Sequence, residues 1–113
     1  MKITDIIPDI MGKDLWVAVY GKYDYVYFVN FIGIRDGGRD IVFKYLTEGE
    51  LLAHGRYLDP DSILFHMEHY ASKRYLDDHF EVIEPLEIYT FDDLLETAQG
   101  AGEEEEDWED EEE

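Results

Sequence analysis

The chain has 113 residues, no cysteine and a formal net charge of −20 at pH 7. This length suits one domain, and the missing cysteines exclude disulfides and thiol chemistry. No apolar run approaches the roughly 20 residues of a membrane-spanning helix, and the N-terminal stretch, which contains acids and a proline, does not resemble a signal peptide. We therefore expect a cytoplasmic protein without a membrane partner.

The first half of the chain predicts an antiparallel meander. Residues 15–20 and 24–34 are dense in β-branched and aromatic residues and predict two strands. Both faces of the second strand are largely apolar, so we expect it to be central and covered on both sides. Residues 35–38 (RDGG) predict a hairpin turn, and residues 39–46 predict the returning strand.

The middle of the chain predicts a long helix. Residues 47–58 contain two glycines and predict a turn and a fourth strand. Asp59-Pro60-Asp61 is typical of a helix start, and the helix is predicted to run to about Asp78. One arc of its helical wheel is expected to pack on the sheet: Ile63, Leu64, Met67, Tyr70, Ala71 and Tyr75. Phe65 and Leu76 fall outside that arc, as an apolar stripe that is exposed or covered by a loop.

The last third predicts short elements and a tail. Residues 80–89 resume strand character, and Pro85 places them at an edge or in two short pieces. Thr90 to Asp93 resembles a capping box before a short acidic helix over residues 91–98. The fold prediction is α+β: a meander of three to five strands packed against one long helix in a domain of residues 1–99. Residues 100–113 are expected to be a glycine linker and a disordered acidic tail.

The charge is concentrated at the C-terminal end. From Tyr75 onward the chain has eighteen carboxylates and no lysine or arginine, whereas the first 74 residues carry eleven acids and all nine bases. A one-signed field of this kind favours a cationic partner, and proteins that bind nucleic acid have the largest cationic surfaces. The predicted partner-binding residues are Asp77, Asp78, Glu81, Glu84, Glu87, Asp92, Asp93, Glu96, Glu103, Glu104, Glu105, Glu106, Asp107 and Trp108.

Other functional signals in the sequence are weak. His66 and His69 have a spacing of three residues on the predicted helix, but HMEH is not the HExxH zinc pattern, and a solvated helix face is the preferred interpretation. No nucleophile or phosphate-loop motif is present, so we expect no enzyme, no metal and no cofactor. The aromatic residues of 20–31 are interpreted as mostly core, and the net charge argues against direct nucleic-acid binding.

The composition of residues 77–113, including the terminal run EEEEDWEDEEE, resembles small acidic DNA mimics encoded by phages and mobile elements. The resemblance implies an inhibitor that takes part in host takeover. Its target would be a histone-like nucleoid-associated protein, RNA polymerase, a restriction enzyme or a CRISPR effector. Asp77, Asp78, Glu81 and Glu84 form no salt bridge visible in the sequence, so reversing their charges together is predicted to weaken binding.

Two alternatives to a DNA mimic stay open. An immunity protein or antitoxin that neutralises a basic nuclease would use the same electrostatics, with apolar anchors such as Phe65 or Trp108. A small acidic adaptor would bind a basic protein without competing with DNA. The sequence leaves the target and the oligomeric state open.

Overall fold

The computed structural model describes residues 1–54 and 61–99, without the side chain of His54, and has an α+β fold. The helices are α1 (Ile3–Ile10), α2 (Glu48–His54), α3 (Lys73–His79) and α4 (91–99). The strands are β1 (Leu15–Tyr20), β2 (Val26–Arg35), β3 (Asp40–Thr47), β4 (Glu68–Ser72), β5 (Glu81–Val82) and β6 (Ile88–Thr90). Short 3-10 turns lie at Lys22–Asp24, Asp36–Gly38 and Ile63–Phe65. The three predicted meander strands and their hairpin turn are confirmed.

The six strands form one antiparallel sheet in the order β4-β3-β2-β1-β5, with β6 also paired to β1. β2 is central, as its two apolar faces predict. Val29 and Phe31 lie in an apolar cluster beneath α1 and α3, and Phe28 lies in a second cluster on the opposite face. The buried Asn30 amide donates to the Leu15 carbonyl oxygen at 3.1 Å, which satisfies the polar residue in the strand.

α1 covers one face of the sheet. Ile3, Ile6, Ile7 and Ile10 recur at i, i+3, i+4 and i+7 and are all buried in the first cluster. The Asp5 carboxylate accepts a hydrogen bond from the Lys2 backbone amide at 2.9 Å, which closes the start of the helix. The sequence analysis missed this helix, although its spacing is the ordinary signal of an amphipathic one.

The long helix predicted from Asp59-Pro60-Asp61 to about Asp78 is wrong for its described residues, 61–78. Ser62 begins a 3-10 turn, Glu68–Ser72 is the strand β4, and only Lys73–His79 is helical. β4 pairs with β3 from Lys44↔Glu68 to Asp40↔Ser72, so tertiary pairing overrides a local sequence without β-branched residues. The Ser72 hydroxyl accepts a hydrogen bond from the Tyr75 amide at 3.1 Å and thereby begins α3.

The burial of this region differs from the helical-wheel prediction, although Leu64 and Ala71 of the predicted arc are partly buried against the apolar clusters. Phe65 and Leu76 are 1% and 0% exposed, because Phe65 packs on Trp16 and Leu76 joins the cluster beneath α1. Ile63 and Met67, which were expected to pack on the sheet, are 65% and 52% exposed. Tyr70 is exposed because β4 alternates its faces every second residue, and Tyr75 is exposed on α3.

The strand predicted within residues 47–58 is wrong for the residues that the structure describes. Glu48–His54 form the helix α2 instead. α2 begins with a reciprocal capping box: the Thr47 amide donates to Glu50 Oε1 at 2.9 Å, and the Glu50 amide donates to Thr47 Oγ1 at 3.0 Å. Thr47 and Glu50 have the T-x-x-E spacing, a start signal that outweighs Gly49. Residues 55–60, including Asp59 and Pro60 of the predicted helix start, lie outside the described residues.

Candidate protein-interaction surface

Two short strands, β5 and β6, pair one after the other with the outer edge of β1. β5 pairs at Val19↔Val82 and Tyr20↔Glu81, and β6 pairs from Val17↔Ile88 to Leu15↔Thr90. Only Ala18 lies between the two pairings, opposite the five residues 83–87, and its amide donates to the Glu87 carbonyl oxygen at 3.0 Å. The prediction of two short pieces at an edge is therefore confirmed. Residues 84–87 are exposed, whereas Ile83 packs against the second apolar cluster.

Eight of the predicted carboxylates follow this edge from the end of α3 to α4. We call them the acidic edge: Asp77, Asp78, Glu81, Glu84, Glu87, Asp92, Asp93 and Glu96. Seven of the eight are exposed, and Asp77 is half-buried. The six other predicted partner-binding residues, Glu103 to Trp108, lie outside the described residues.

Two members of the acidic edge, Asp77 and Asp93, stabilise the fold through hydrogen bonds. Asp77 Oδ1 accepts from the Thr4 amide at 3.1 Å, and its Oδ2 accepts from the Thr4 hydroxyl at 2.9 Å, which ties α3 to α1. Asp93 Oδ2 accepts from the Thr90 amide at 3.1 Å, and the Asp93 amide donates to Thr90 Oγ1 at 3.2 Å. The predicted capping box of α4 is thus present with aspartate in the glutamate position.

The other carboxylates have weak local partners or none. Asp78 lies 3.9 Å from Arg74, and Glu84 lies 3.7 Å from the N-terminal ammonium, so the expectation that the group forms no salt bridge is wrong for these two. Both contacts are solvent-exposed, where ion pairs contribute little. Within the described part of the chain, the carboxylates of Glu81, Asp92 and Glu96 make no hydrogen bond or ion pair.

Glu87 acts on a neighbouring phenol. The pKa of the Tyr89 phenol is raised. The largest cause is burial of the phenol, and the next causes are the negative charge of the Glu87 carboxylate and its hydrogen bond with the phenol. Tyr89 also packs edge-on against Phe28 at 5.5 Å between ring centroids. The Glu87 charge is therefore close to an ordered, partly buried ring.

The charge density of the edge is lower than that of DNA. Glu81 pairs with Tyr20, and Thr90 pairs with Leu15, so the edge along β1 spans roughly 17 Å at about 3.4 Å per residue. Three glutamates in this length give one charge per roughly 6 Å, against about 3.4 Å for one strand of B-DNA. The edge therefore presents a diffuse negative surface and does not copy the phosphate spacing.

A cleft of about 380 Å³ opens at the α3 end of the edge. Asp77, Asp78 and Glu81 line it together with Asp24 from the turn after β1 and with Lys2. Met1 also lines the cleft, so its four carboxylates exceed the two amines of Lys2 and the N-terminus, and the charge balance is negative. A cationic side chain is the complementary occupant.

The turn between β1 and β2 places tyrosines beside this cleft. Tyr23 and Tyr25 are 75% and 61% exposed, with 6.1 Å between their ring centroids, and Tyr20 lines the cleft. The prediction that the aromatics of 20–31 are mostly core is correct for Phe28 and Phe31 and wrong for this turn. Tyr23 also has φ of 61°, a strained conformation that a bulky residue rarely adopts.

The histidines do not have the predicted helical spacing. His69 lies in β4, 4.5 Å from the Tyr45 ring between centroids, and His66 lies at the end of the 3-10 turn before β4. No group of three or more potential metal ligands is found within residues 1–54 and 61–99. Nor does this part of the chain contain a helix that is long and apolar enough to cross a membrane.

Comparisons with known proteins give no relative from which a role could be transferred. No family model, curated protein or solved structure matches the chain.

Proposed function

We propose that the protein is an acidic inhibitor that binds the nucleic-acid-binding surface of a basic protein and displaces DNA. The acidic edge is the binding surface in this proposal. In this proposal the protein acts in the cytoplasm by binding its partner and catalyses no reaction. The target classes are those named above: a histone-like nucleoid-associated protein, RNA polymerase, or a restriction or CRISPR effector.

The observation that carries the proposal is the set of exposed carboxylates on ordered elements. Glu81 belongs to β5, and Asp92 and Glu96 belong to α4, where like charges are held near one another without a described partner. Asp78 lies in the last turn of α3, where the helix dipole disfavours an acid. A cationic partner removes the repulsion and recovers that free energy on binding.

The low charge density favours surface competition over close imitation of DNA. A basic surface that binds DNA through phosphates draws much of its affinity from charge neutralisation. The acidic edge can neutralise the same surface without phosphate-like spacing. We therefore expect competition with DNA that depends strongly on salt and weakly on DNA sequence.

The experiment is capture from a bacterial lysate, followed by kinetics with the purified partner. The association rate constant should fall steeply between low and physiological salt, because steering by exposed charge is screened over about 8–10 Å. The dissociation rate constant should change less. An association rate constant that does not depend on salt contradicts electrostatic steering and with it this proposal.

The tyrosine-rich turn favours a second candidate, an immunity protein specific for one basic nuclease. Tyrosine is enriched among residues that dominate binding energy, and Tyr20, Tyr23 and Tyr25 lie beside an acidic cleft. Phe65, the earlier candidate anchor, is buried and cannot serve. Replacing Tyr23 and Tyr25 with alanine should abolish binding to a single nuclease, whereas a general competitor of DNA binders should lose only a little affinity.

A further inference from the structure

A pocket lined by aromatic rings lies where the helical layer over the sheet ends. α1 and α3 cover the middle of one sheet face through their apolar side chains. Tyr27, Tyr45 and His69 lie on that same face beyond the helices and line a pocket of about 330 Å³. This volume is at the low end of the roughly 300–1,000 Å³ of ligand sites, and it suits one long side chain.

The rings of the pocket hold one another in place. Tyr27 packs on Tyr45 at 5.5 Å and on Phe80 at 5.6 Å between centroids, and Phe43 stacks on Tyr45 at 6.0 Å. Tyr27 also lies close to Gly21, where an added Cβ would lie 2.4 Å from the ring. The absence of a side chain at Gly21 is therefore required for this ring position.

The rim is formed by a second stacked pair. Tyr75 and His79 of α3 stack with 3.9 Å between centroids and an interplanar angle of 15°, and His79 Nδ1 lies 2.9 Å from the Tyr75 carbonyl oxygen. Tyr75 is 49% exposed. A side chain entering the pocket would pass a wall of rings that are already ordered.

Carboxylates lie next to this pocket. His79 and Phe80 line both the aromatic pocket and the acidic cleft that contains Asp77, Asp78 and Glu81. A planar cation could therefore contact ring faces while its charge remains near these acids. Each exposed ring contact with a cation contributes about 2–5-fold in affinity.

The chain itself shows that its surface tyrosines accept a guanidinium. Arg35 Cζ lies 3.5 Å from the centroid of the exposed Tyr70 ring. Lys22 is the basic residue that lines the aromatic pocket, but its ammonium lies 5.1 Å from the Tyr23 ring centroid. The Lys22 ammonium therefore lies over a ring that does not line the pocket.

We propose that this pocket receives an arginine side chain of the basic partner, as the specific anchor beside the diffuse acidic edge. Arginine is favoured over lysine because a planar guanidinium stacks on rings, whereas a compact ammonium does not. The proposal rests on the proposed function, since it supposes a basic protein partner. It adds a residue type and a position to that partner's interface.

The test is an NMR titration of the full chain with N-acetylarginine amide, which isolates one side chain. The ring signals of Tyr27, Tyr45 and Tyr75 should shift with this probe, less with N-acetyllysine amide, and not with N-acetylcitrulline amide, which keeps the shape and lacks the charge. Equal shifts with the citrulline probe, or no ring shifts with the arginine probe, overturn the proposal.

Variants separate the pocket from general charge attraction. Tyr75→Ala should weaken arginine binding about fivefold, whereas Ile63→Ala, which changes an exposed apolar residue that does not line the pocket, should leave it unchanged. Lys22→Ala should strengthen it about threefold, because a like charge is removed from the rim. A purely structural pocket would not gain affinity in this variant, so a loss there or no effect of Tyr75→Ala contradicts the proposal.

The pocket and the proposed function can fail separately. If the rings bind arginine but the protein does not release DNA from its partner, the pocket stands and the inhibitor proposal fails. If DNA release depends on the acidic edge but the ring signals do not respond to arginine, the pocket proposal fails alone.

Discussion

The β2–β3 hairpin turn and the acidic edge differ in how their charges are neutralised. At the β2–β3 hairpin, Arg35 lies 3.7 Å from both Asp36 and Asp40, and acids and bases alternate along the turn. Along β1, the acidic edge carries eight carboxylates in residues 77–96, a segment without a lysine or arginine. The hairpin turn thus neutralises its acids with a neighbouring arginine, and the acidic edge has none within its own segment.

The contrast teaches which charges the fold needs. Asp77 accepts hydrogen bonds from Thr4, and Asp93 exchanges hydrogen bonds with Thr90. The presence of these two acids is explained by their role in the fold. Glu81 and its exposed neighbours have no comparable role within the described residues. We attribute these charges to function, and the predictions below separate the two groups.

The largest effect is expected from reversing the three edge glutamates. Glu81→Lys, Glu84→Lys and Glu87→Lys together should weaken partner binding by about 100-fold or more, since grouped charges steer and hold a basic surface. The measurement is the dissociation constant at low salt. The matched control, Asp9→Lys, Glu48→Lys and Glu68→Lys, changes three exposed acids elsewhere and gives the same net charge. Equal losses in both triple variants would mean that net charge alone matters.

A smaller effect is expected from removing the charged end of the chain. Deletion of residues 103–113 takes away ten carboxylates and should weaken binding by about tenfold through a slower association. The melting temperature should stay within a few degrees, because both apolar clusters are built from residues 3–98. A large drop in melting temperature would show that the tail contributes to the fold.

Asp77 should behave unlike its neighbour Asp78. Asp77→Ala leaves two Thr4 donors without their acceptor and should lower the free energy of unfolding by about 1–3 kcal/mol. Asp78→Ala removes one exposed contact to Arg74 and should change it by less than about 0.5 kcal/mol. Urea unfolding of both variants is the measurement, and similar losses would remove the distinction between structural and functional acids.

The smallest effect concerns alkaline pH. The pKa of Tyr45 is raised. The largest cause is burial of its phenol, and electrostatic repulsion from Tyr27, Glu50 and Tyr75 adds to it. Above about pH 10 the unfolded chain loses this proton first, so stability falls as pH rises through the raised value. Tyr45→Phe should therefore lose less melting temperature than the wild type between pH 9 and pH 11. An equal or larger loss of melting temperature in Tyr45→Phe would contradict a raised pKa of Tyr45 in the folded protein.

The sequence predicted the meander well because its strands are bounded by strong turns and rich in β-branched residues. It also predicted the edge at Pro85 and the capping box at Thr90, since both signals are local. It failed for residues 61–72, where pairing with β3 decides the structure. The aromatic pocket could not be predicted at all, because Tyr27, Tyr45 and Tyr75 meet only through the register of the sheet and the position of α3.

The most direct test of the central claim is competition. The protein is titrated into a complex of its captured basic partner with fluorescently labelled DNA, and DNA release is followed by anisotropy at low salt. The account predicts complete release by the wild type and by the control triple variant, and a large loss of release by the Glu81, Glu84 and Glu87 reversal. A ternary complex in which the partner keeps its affinity for both DNA and this protein would contradict it.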